Sequence, residues 1–325
     1  MADGNDNDVF VYMGGDQEVP RGVTHAIIHP SVKIVPRRAF YYRQQLVSVI
    51  FHDGVEIIGQ EAFLGCVSLR GIKLLGVREI REGAFDTCIA LSDVEFGDML
   101  ETVGDHAFRD CFSLRSIKMP SVRSVQDFAF GYCRQLNDVE FGKELERIEC
   151  CSFYNCPSLQ RIAVPFKDNL FAFDTDEGRY NQFEDCTNLT TVDLVGAEGM
   201  RKTISSLLLE SWRNELNEEI DRINWELPDT YRNEKTNAIG LWIRSVINRL
   251  EHCKAEHNRL LKEHMTQLEL AIWKAKLDQE KDNNSTPEVR TKRAKIDEVT
   301  MRKEKRITSG ADIIVKNVLP FLKLG

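Results

Sequence analysis

Cys253 and His257 are the pair in this chain best placed to do chemistry. They stand four residues apart in a stretch of helical spacing, so a thiolate and an imidazole would share one face, half of a tetrahedral zinc site. No second Cys or His pair at zinc spacing accompanies them, and no metal site is assigned. The patterns G-x-x-x-x-G-K-[ST], G-x-G-x-x-G, H-E-x-x-H and G-x-S-x-G do not occur, and nothing pairs a nucleophile with a base. The expectation is no catalytic, cofactor-binding or metal residue, and no enzyme. Asn188-Leu189-Thr190 fits a glycosylation acceptor, which has meaning only in a secreted chain. The N-terminus, MADGNDNDVF, is acidic and polar and lacks the regions of a secretory signal. The nine cysteines are therefore read as free thiols in a reducing compartment, cytoplasmic or nuclear.

Six of those cysteines belong to a repeat, and the repeat organises residues 26–195. Phe40, Phe63, Phe85, Phe108, Phe130 and Phe153 follow one another at 22 or 23 residues, and Phe183 follows after 30. Alanine precedes the first five. Cysteine stands three residues after the phenylalanine at Cys66, Cys88, Cys111, Cys133, Cys156 and Cys186. Leucine recurs at plus six, a β-branched residue at plus nine and a further apolar residue at plus eleven. Self-similarity at this period means a solenoid.

The segment Leu91–Gly97, LSDVEFG, shows what one repeat builds. Val94 and Phe96 alternate with Asp93 and Glu95, as a strand with one buried face requires. A turn with Gly or Pro follows (Gly97, Pro120, Gly142, Pro165), then a second short extended piece, then the Ala-Phe block, expected as a helical turn. One coil cannot bury its apolar face alone, so about seven coils stack with parallel strands and seal each other.

The run Ala-Phe-x-x-Cys-x-x-Leu-x-x-Ile/Val-x-Leu/Phe, over residues 30–195, resembles the BspA-like class of leucine-rich repeat. It is also similar, less fully, to large algal leucine-rich-repeat families with a helical C-terminal tail. The resemblance implies a protein-interaction solenoid with no fixed catalytic residues and no cofactor. The chain departs from the pattern in three places. Arg43 replaces the first cysteine, Ser152 replaces an alanine behind Cys150 and Cys151, and the last gap holds an insert, FKDNLFAFDTDEGRY, at 166–180.

Strand alternation turns one row outward: Ile50, Lys73, Glu95, Lys118, Glu140, Ala163 and Asp193. Its charges read either as a solvated ladder of opposite neighbours or as a partner's landing surface. The insert carries Phe171, Phe173 and Tyr180 among acids, and is either a binding loop or a lid over the C-terminal edge of the solenoid. The candidate protein-binding residues are Lys73, Glu95, Lys118, Glu140, Phe171, Phe173 and Tyr180.

After Gly199 the apolar spacing becomes helical. Ile204, Leu208, Trp212, Leu216, Ile220, Ile223 and Leu227 share one face, Pro228 breaks it, and a second helical stretch runs over 234–281. The two are expected as an antiparallel hairpin; the alternative is a homodimer through 234–281. The expected divisions are an N-terminal cap or tail (1–25), the solenoid (26–199), the long-helix hairpin (200–281), a charged linker or helix (282–306) and a short apolar segment (307–325). No apolar run is long enough to span a bilayer.

Charge is uneven. Residues 1–199 carry −12 and residues 200–325 carry +4. An acidic solenoid argues against a nucleic-acid partner, because phosphate contacts need clustered Lys and Arg. The function expected is a non-enzymatic scaffold for a protein partner. The alternative from another class is a nuclear, nucleic-acid-associated factor working through the basic 290–306 segment.

Overall fold

The seven repeat phenylalanines form a column. In the structure, a computed structural model that describes residues 9–171, 181–195, 210–231 and 234–283, every one of them is buried. Their rings stack nearly parallel from Phe40–Phe63 at 4.8 Å to Phe153–Phe183 at 5.7 Å. Rings offset-stacked at this separation attract beyond their area burial. The strand phenylalanines Phe51, Phe96 and Phe141 meet the column edge-on, each against the ring of the following coil.

The long strands are β1 (Phe10–Tyr12), β2 (His25–Ile28), β4 (Ser48–Ile50), β6 (Gly71–Leu74), β8 (Asp93–Phe96), β10 (Ser116–Met119), β12 (Asp138–Phe141), β14 (Arg161–Pro165) and β15 (Thr191–Val195). They pair in parallel as two sheets, β1-β2-β4-β6-β8 and β10-β12-β14-β15. The short strands β3 (Ile34–Val35), β5 (Ile57–Ile58), β7 (Glu79–Ile80), β9 (Thr102–Val103), β11 (Ser124–Val125) and β13 (Arg147–Ile148) form a second parallel ladder. Residues at plus nine and plus eleven point inward, as in Ile117 and Met119 of β10, both buried.

The turn after each long strand explains its glycine. A Cβ on Gly142 would lie 1.6 Å from the carbonyl oxygen of Pro120, and one on Gly97 would lie 1.9 Å from that of Leu75. At these glycines the turn sits directly on the backbone of the preceding coil, and a side chain there would collide with it.

The Ala-Phe block is not the helical turn expected. It is a run of tight turns with left-handed residues two before and two after the phenylalanine, for example His106 (φ 55°) and Asp110 (φ 58°) around Phe108. The reason is the ladder. The amide of each phenylalanine from Phe40 to Phe153 donates to the next coil, as Phe108 N–H does to the Ala129 carbonyl at 2.7 Å. A helical turn would spend that amide within its own coil.

The ladder also starts before residue 26. β1 pairs with β2 in the register Phe10↔Ala26, and the buried Tyr12 ring lies 5.2 Å from Phe40. This coil lacks the Ala-Phe-x-x-Cys block, so periodicity did not reveal it.

At the other end, helix α1 (Glu210–Glu226), a 3-10 turn (Leu227–Asp229) and helix α2 (Lys235–Asn283) follow. The chain divides into two compact units, Met1–Lys254 and Ala255–Gly325. Within the first, α1 and the start of α2 run as a hairpin. Ile223, Leu227, Ile239, Trp242, Ile243 and Val246 are buried in the common core, and Trp242 Nε1 donates to the Glu219 carbonyl at 3.0 Å.

The hairpin satisfies the open backbone of the last coil. Asn224 accepts from Val192 N–H at 2.8 Å, and Thr236 Oγ1 accepts from Phe183 N–H at 3.2 Å. The Lys235 ammonium donates to the carbonyls of Thr187 (3.2 Å) and Leu189 (2.7 Å). A terminal coil needs such a cap, because its donors and acceptors have no next coil to meet. In the second unit the described part of α2, Ala255–Asn283, exposes Leu260, Met265, Leu268, Leu270 and Trp273.

Candidate functional site

The outward row forms as alternation requires. β6 and β8 bring Lys73 opposite Glu95, and β10 and β12 bring Lys118 opposite Glu140. The ammonium–carboxylate distances are 2.7 Å and 3.0 Å, with all four side chains well exposed. Solvent and salt screen such exposed pairs, so they contribute little to stability. Glu95 holds Lys73 above its ordinary pKa through that hydrogen bond. Ala163 departs from the expectation. It is buried, its methyl lying in the ladder between the longer Glu140 and Asp193.

Toward the N-terminus the same row turns apolar. Ile50 stands in register with Ile27 and Val11, and is 60% exposed. A groove of about 560 Å³ opens beside it, lined among others by Ser48, Ile50, Phe51, Gly71, Lys73 and Glu95. It lies where the strand ladder is thinnest. β4 and β6 share one paired position, Ser48↔Gly71, and β8 and β10 belong to different sheets. Gly71 lowers the floor, Phe51 and Val94 are partly uncovered, and Lys73, Asp93 and Glu95 supply charge. The plus-eight column that shapes it (Ser48, Gly71, Asp93, Ser116) was missed from sequence; its signal was a run of small or polar residues at the first strand position.

The insert contributes differently. Phe171 does not face solvent: it is buried, bridges to Ile148 of β13 and meets Phe183 edge-on at 5.8 Å. It continues the short-strand ladder, in the place that Val125 and Ile148 fill in the coils before, and covers the last stacked ring from that side. Phe173 and Tyr180 lie outside the described residues, as does the basic 290–306 segment. Cys253 and His257 lie on α2, with side chains outside the described set.

The cysteine column is buried throughout, at Cys66, Cys88, Cys111, Cys133, Cys156 and Cys186. Each thiol donates to the carbonyl of the phenylalanine one coil back, from Cys66 to Phe40 at 3.1 Å through Cys186 to Phe153 at 3.0 Å. Burial pushes the thiols up in pKa, Cys66 to about 12, and Cys88, Cys111, Cys133 and Cys156 likewise upward. They are structural hydrogen-bond donors, not nucleophiles.

The family model for the BspA type leucine rich repeat region matches in six copies over residues 22–122 and 101–211, more than half of the chain. The chain belongs to that family. Among solved structures, this BspA-type chain is similar to the Treponema pallidum leucine rich repeat protein, at 27% identity over 57% of this chain and 85% of that one, with a TM-score of 0.48. A leucine-rich repeat protein from Bacteroides ovatus matches at 24% identity, 54% and 56% coverage and a TM-score of 0.38. A leucine rich cell surface protein from Faecalibacterium prausnitzii matches at 18% identity, 54% and 79% coverage and a TM-score of 0.22. A search of curated proteins found none that matches. Among the described residues, no helix of this BspA-type chain is long and apolar enough to cross a membrane.

Proposed function

We propose that this protein is a non-enzymatic interaction scaffold, and that the groove beside Ile50 receives a segment of a protein partner. The observation that carries this reading is the change along one outward row, from paired charges at Lys118–Glu140 to the exposed apolar Ile50 beside a 560 Å³ groove. An apolar floor with a few charged groups at its rim is the usual composition of a recognition site. Rigid coils hold it without ordering cost. Lys73 and Glu95 stand at the rim of the groove, paired with each other as Lys118 and Glu140 are, and there they meet the partner's polar groups. The free buried thiols support a reducing compartment, with the cytoplasm preferred.

The exposed Leu260, Met265, Leu268 and Trp273 of α2 support a second association, between two copies of the chain. Light scattering tests it, with a mass twice 37.3 kDa expected and a monomer mass against it.

The groove is tested by partner capture with the full chain and with a variant carrying Ile50→Arg and Lys73→Glu. The variant should fold with an unchanged Tm and lose the partner. A partner retained equally by both would place recognition elsewhere.

A further inference from the structure

The turn side of the coils carries a second surface, separate from the groove. His106 and Phe128 stack at 5.4 Å with planes 3° apart. Tyr154 adjoins Phe128 at 5.8 Å and Tyr132 at 5.2 Å. All four rings are partly exposed. The coils of Phe108, Phe130 and Phe153, fourth to sixth in the repeat, thus present one continuous aromatic surface.

The backbone under three of these rings is left-handed, as it is at the same corners of other coils. His106 (φ 55°), Phe128 (φ 52°) and Tyr132 (φ 62°) are left-handed, a conformation that bulky residues rarely adopt. Other coils of the same chain fill the same two corners with Gly83 and Gly65. Arg38, Tyr42, Glu61, Thr87 and Asp110 occupy these corners elsewhere, so the fold accepts glycine or a side chain there, and at His106, Phe128 and Tyr132 the side chain is aromatic. Their part is not in the core, because the ring column at Phe108, Phe130 and Phe153 is complete without them.

Carboxylates border the rings. Asp105 and Asp127 occupy the row before His106 and Phe128, with Asp105 Oδ1 accepting from Asp127 N–H at 3.0 Å. Asp110, Asp185 and Glu184 flank Tyr132 and Tyr154 in the neighbouring rungs, where Asn155 N–H meets the Glu184 carbonyl and Tyr132 N–H meets that of Tyr154. Burial first, then Tyr132, Glu184 and Asp185, raise the Tyr154 hydroxyl in pKa, in keeping with a negative field at that ring. The nearby cations are engaged: Arg109 holds Asp86 at 3.0 Å and reaches Asp110 at 3.5 Å, and the Arg134 guanidinium lies over Phe112 at 4.7 Å, which leaves Asp105, Asp127 and Asp185 as the carboxylates nearest the rings away from Arg109.

We infer that the surface formed by His106, Phe128, Tyr132 and Tyr154 docks an arginine-bearing basic peptide segment of a partner protein. Charge complementarity selects this occupant. A guanidinium stacks face-on on an aromatic ring and keeps its edge donors for carboxylates, and both are present side by side. A phosphate backbone would meet only repulsion here.

The test is fluorescence anisotropy of a labelled RGRGRGR peptide against the full chain, with EGEGEGE as the control peptide. The basic peptide should bind and the acidic one should not. In Phe128→Gly with Tyr132→Gly, binding should weaken about tenfold. Glycine fits both left-handed corners, so this variant should keep the wild-type Tm within a few degrees, and loss of binding reads loss of the rings. Ile50→Arg with Lys73→Glu should leave peptide affinity unchanged, so this surface and the groove fail or succeed separately. Absence of RGRGRGR binding to the wild-type chain overturns the inference. So does binding of equal strength to the glycine variant, which would reduce it to diffuse attraction by an acidic protein.

Discussion

The Cys111 thiol donates to the Phe85 carbonyl at 3.3 Å, one coil back. Each repeat cysteine thus ties its own coil to the one before it, in a place where the surrounding amides already pair forward. Cys111→Ala removes both a buried sulfur and the donor to a buried carbonyl. It should cost about 1–2 kcal/mol, read by chemical denaturation. A neutral result would mean the thiol is filler only.

The thiols also set an alkaline limit. In the unfolded chain a cysteine titrates near about 8.5, while Cys66 is pushed up to about 12 and Cys88, Cys111, Cys133 and Cys156 are also raised. Above pH of about 8.5 the unfolded state gives up protons that the folded state keeps, so stability is full below that pH and falls as pH rises toward the folded values. Each such thiol contributes about 1.4 kcal/mol per pH unit in that window. Stability between pH 9 and 10.5 should fall steeply, and Cys111→Ala should make the slope shallower by about 1.4 kcal/mol per pH unit. Equal slopes in the two proteins would refute the assignment.

Two substitutions separate core filling from backbone contact. Phe108 stacks on Phe85 and Phe130 and meets Phe96 edge-on, so Phe108→Ala should cost about 3–5 kcal/mol. Gly142→Ala adds one methyl and should still cost about 2–3 kcal/mol, because that methyl meets the Pro120 carbonyl. Calorimetry on both decides whether the turn stacking is as close as described.

Lys235 is a buried cation that caps carbonyls of the last coil. Lys235→Ala leaves the Thr187 and Leu189 carbonyls without that donor and should cost about 1–3 kcal/mol. Hydrogen exchange should rise first in β14 and β15. Exchange unchanged in those strands would show that the hairpin is not their cap.

The coil was legible because burial repeats. Phe, Leu and the two strand positions recur seven times and Cys six, and a period of 22–23 residues leaves no other reading. Tyr12 was hidden because its coil has no Ala-Phe-x-x-Cys block, although its ring extends the column. Phe171 read as a surface candidate because the insert broke the spacing; its edge-on contact with Phe183 depends on a chain path that spacing does not encode. The groove depends on Gly71, a residue notable for what it lacks, and on how sparsely β4 pairs with β6. The aromatic surface of His106, Phe128, Tyr132 and Tyr154 combines three different repeat positions, so no single column of the sequence displays it.

The central claim is that the groove beside Ile50 is where a protein partner sits. A photo-crosslinking amino acid at position 50 in the full chain, with a second chain carrying it at the exposed Arg123, tests this in extracts of the source cells. The account predicts a discrete protein adduct from position 50, absent from position 123 and abolished by Lys73→Glu. Adducts that form at position 123 and not at 50, or that ignore Lys73→Glu, would contradict it.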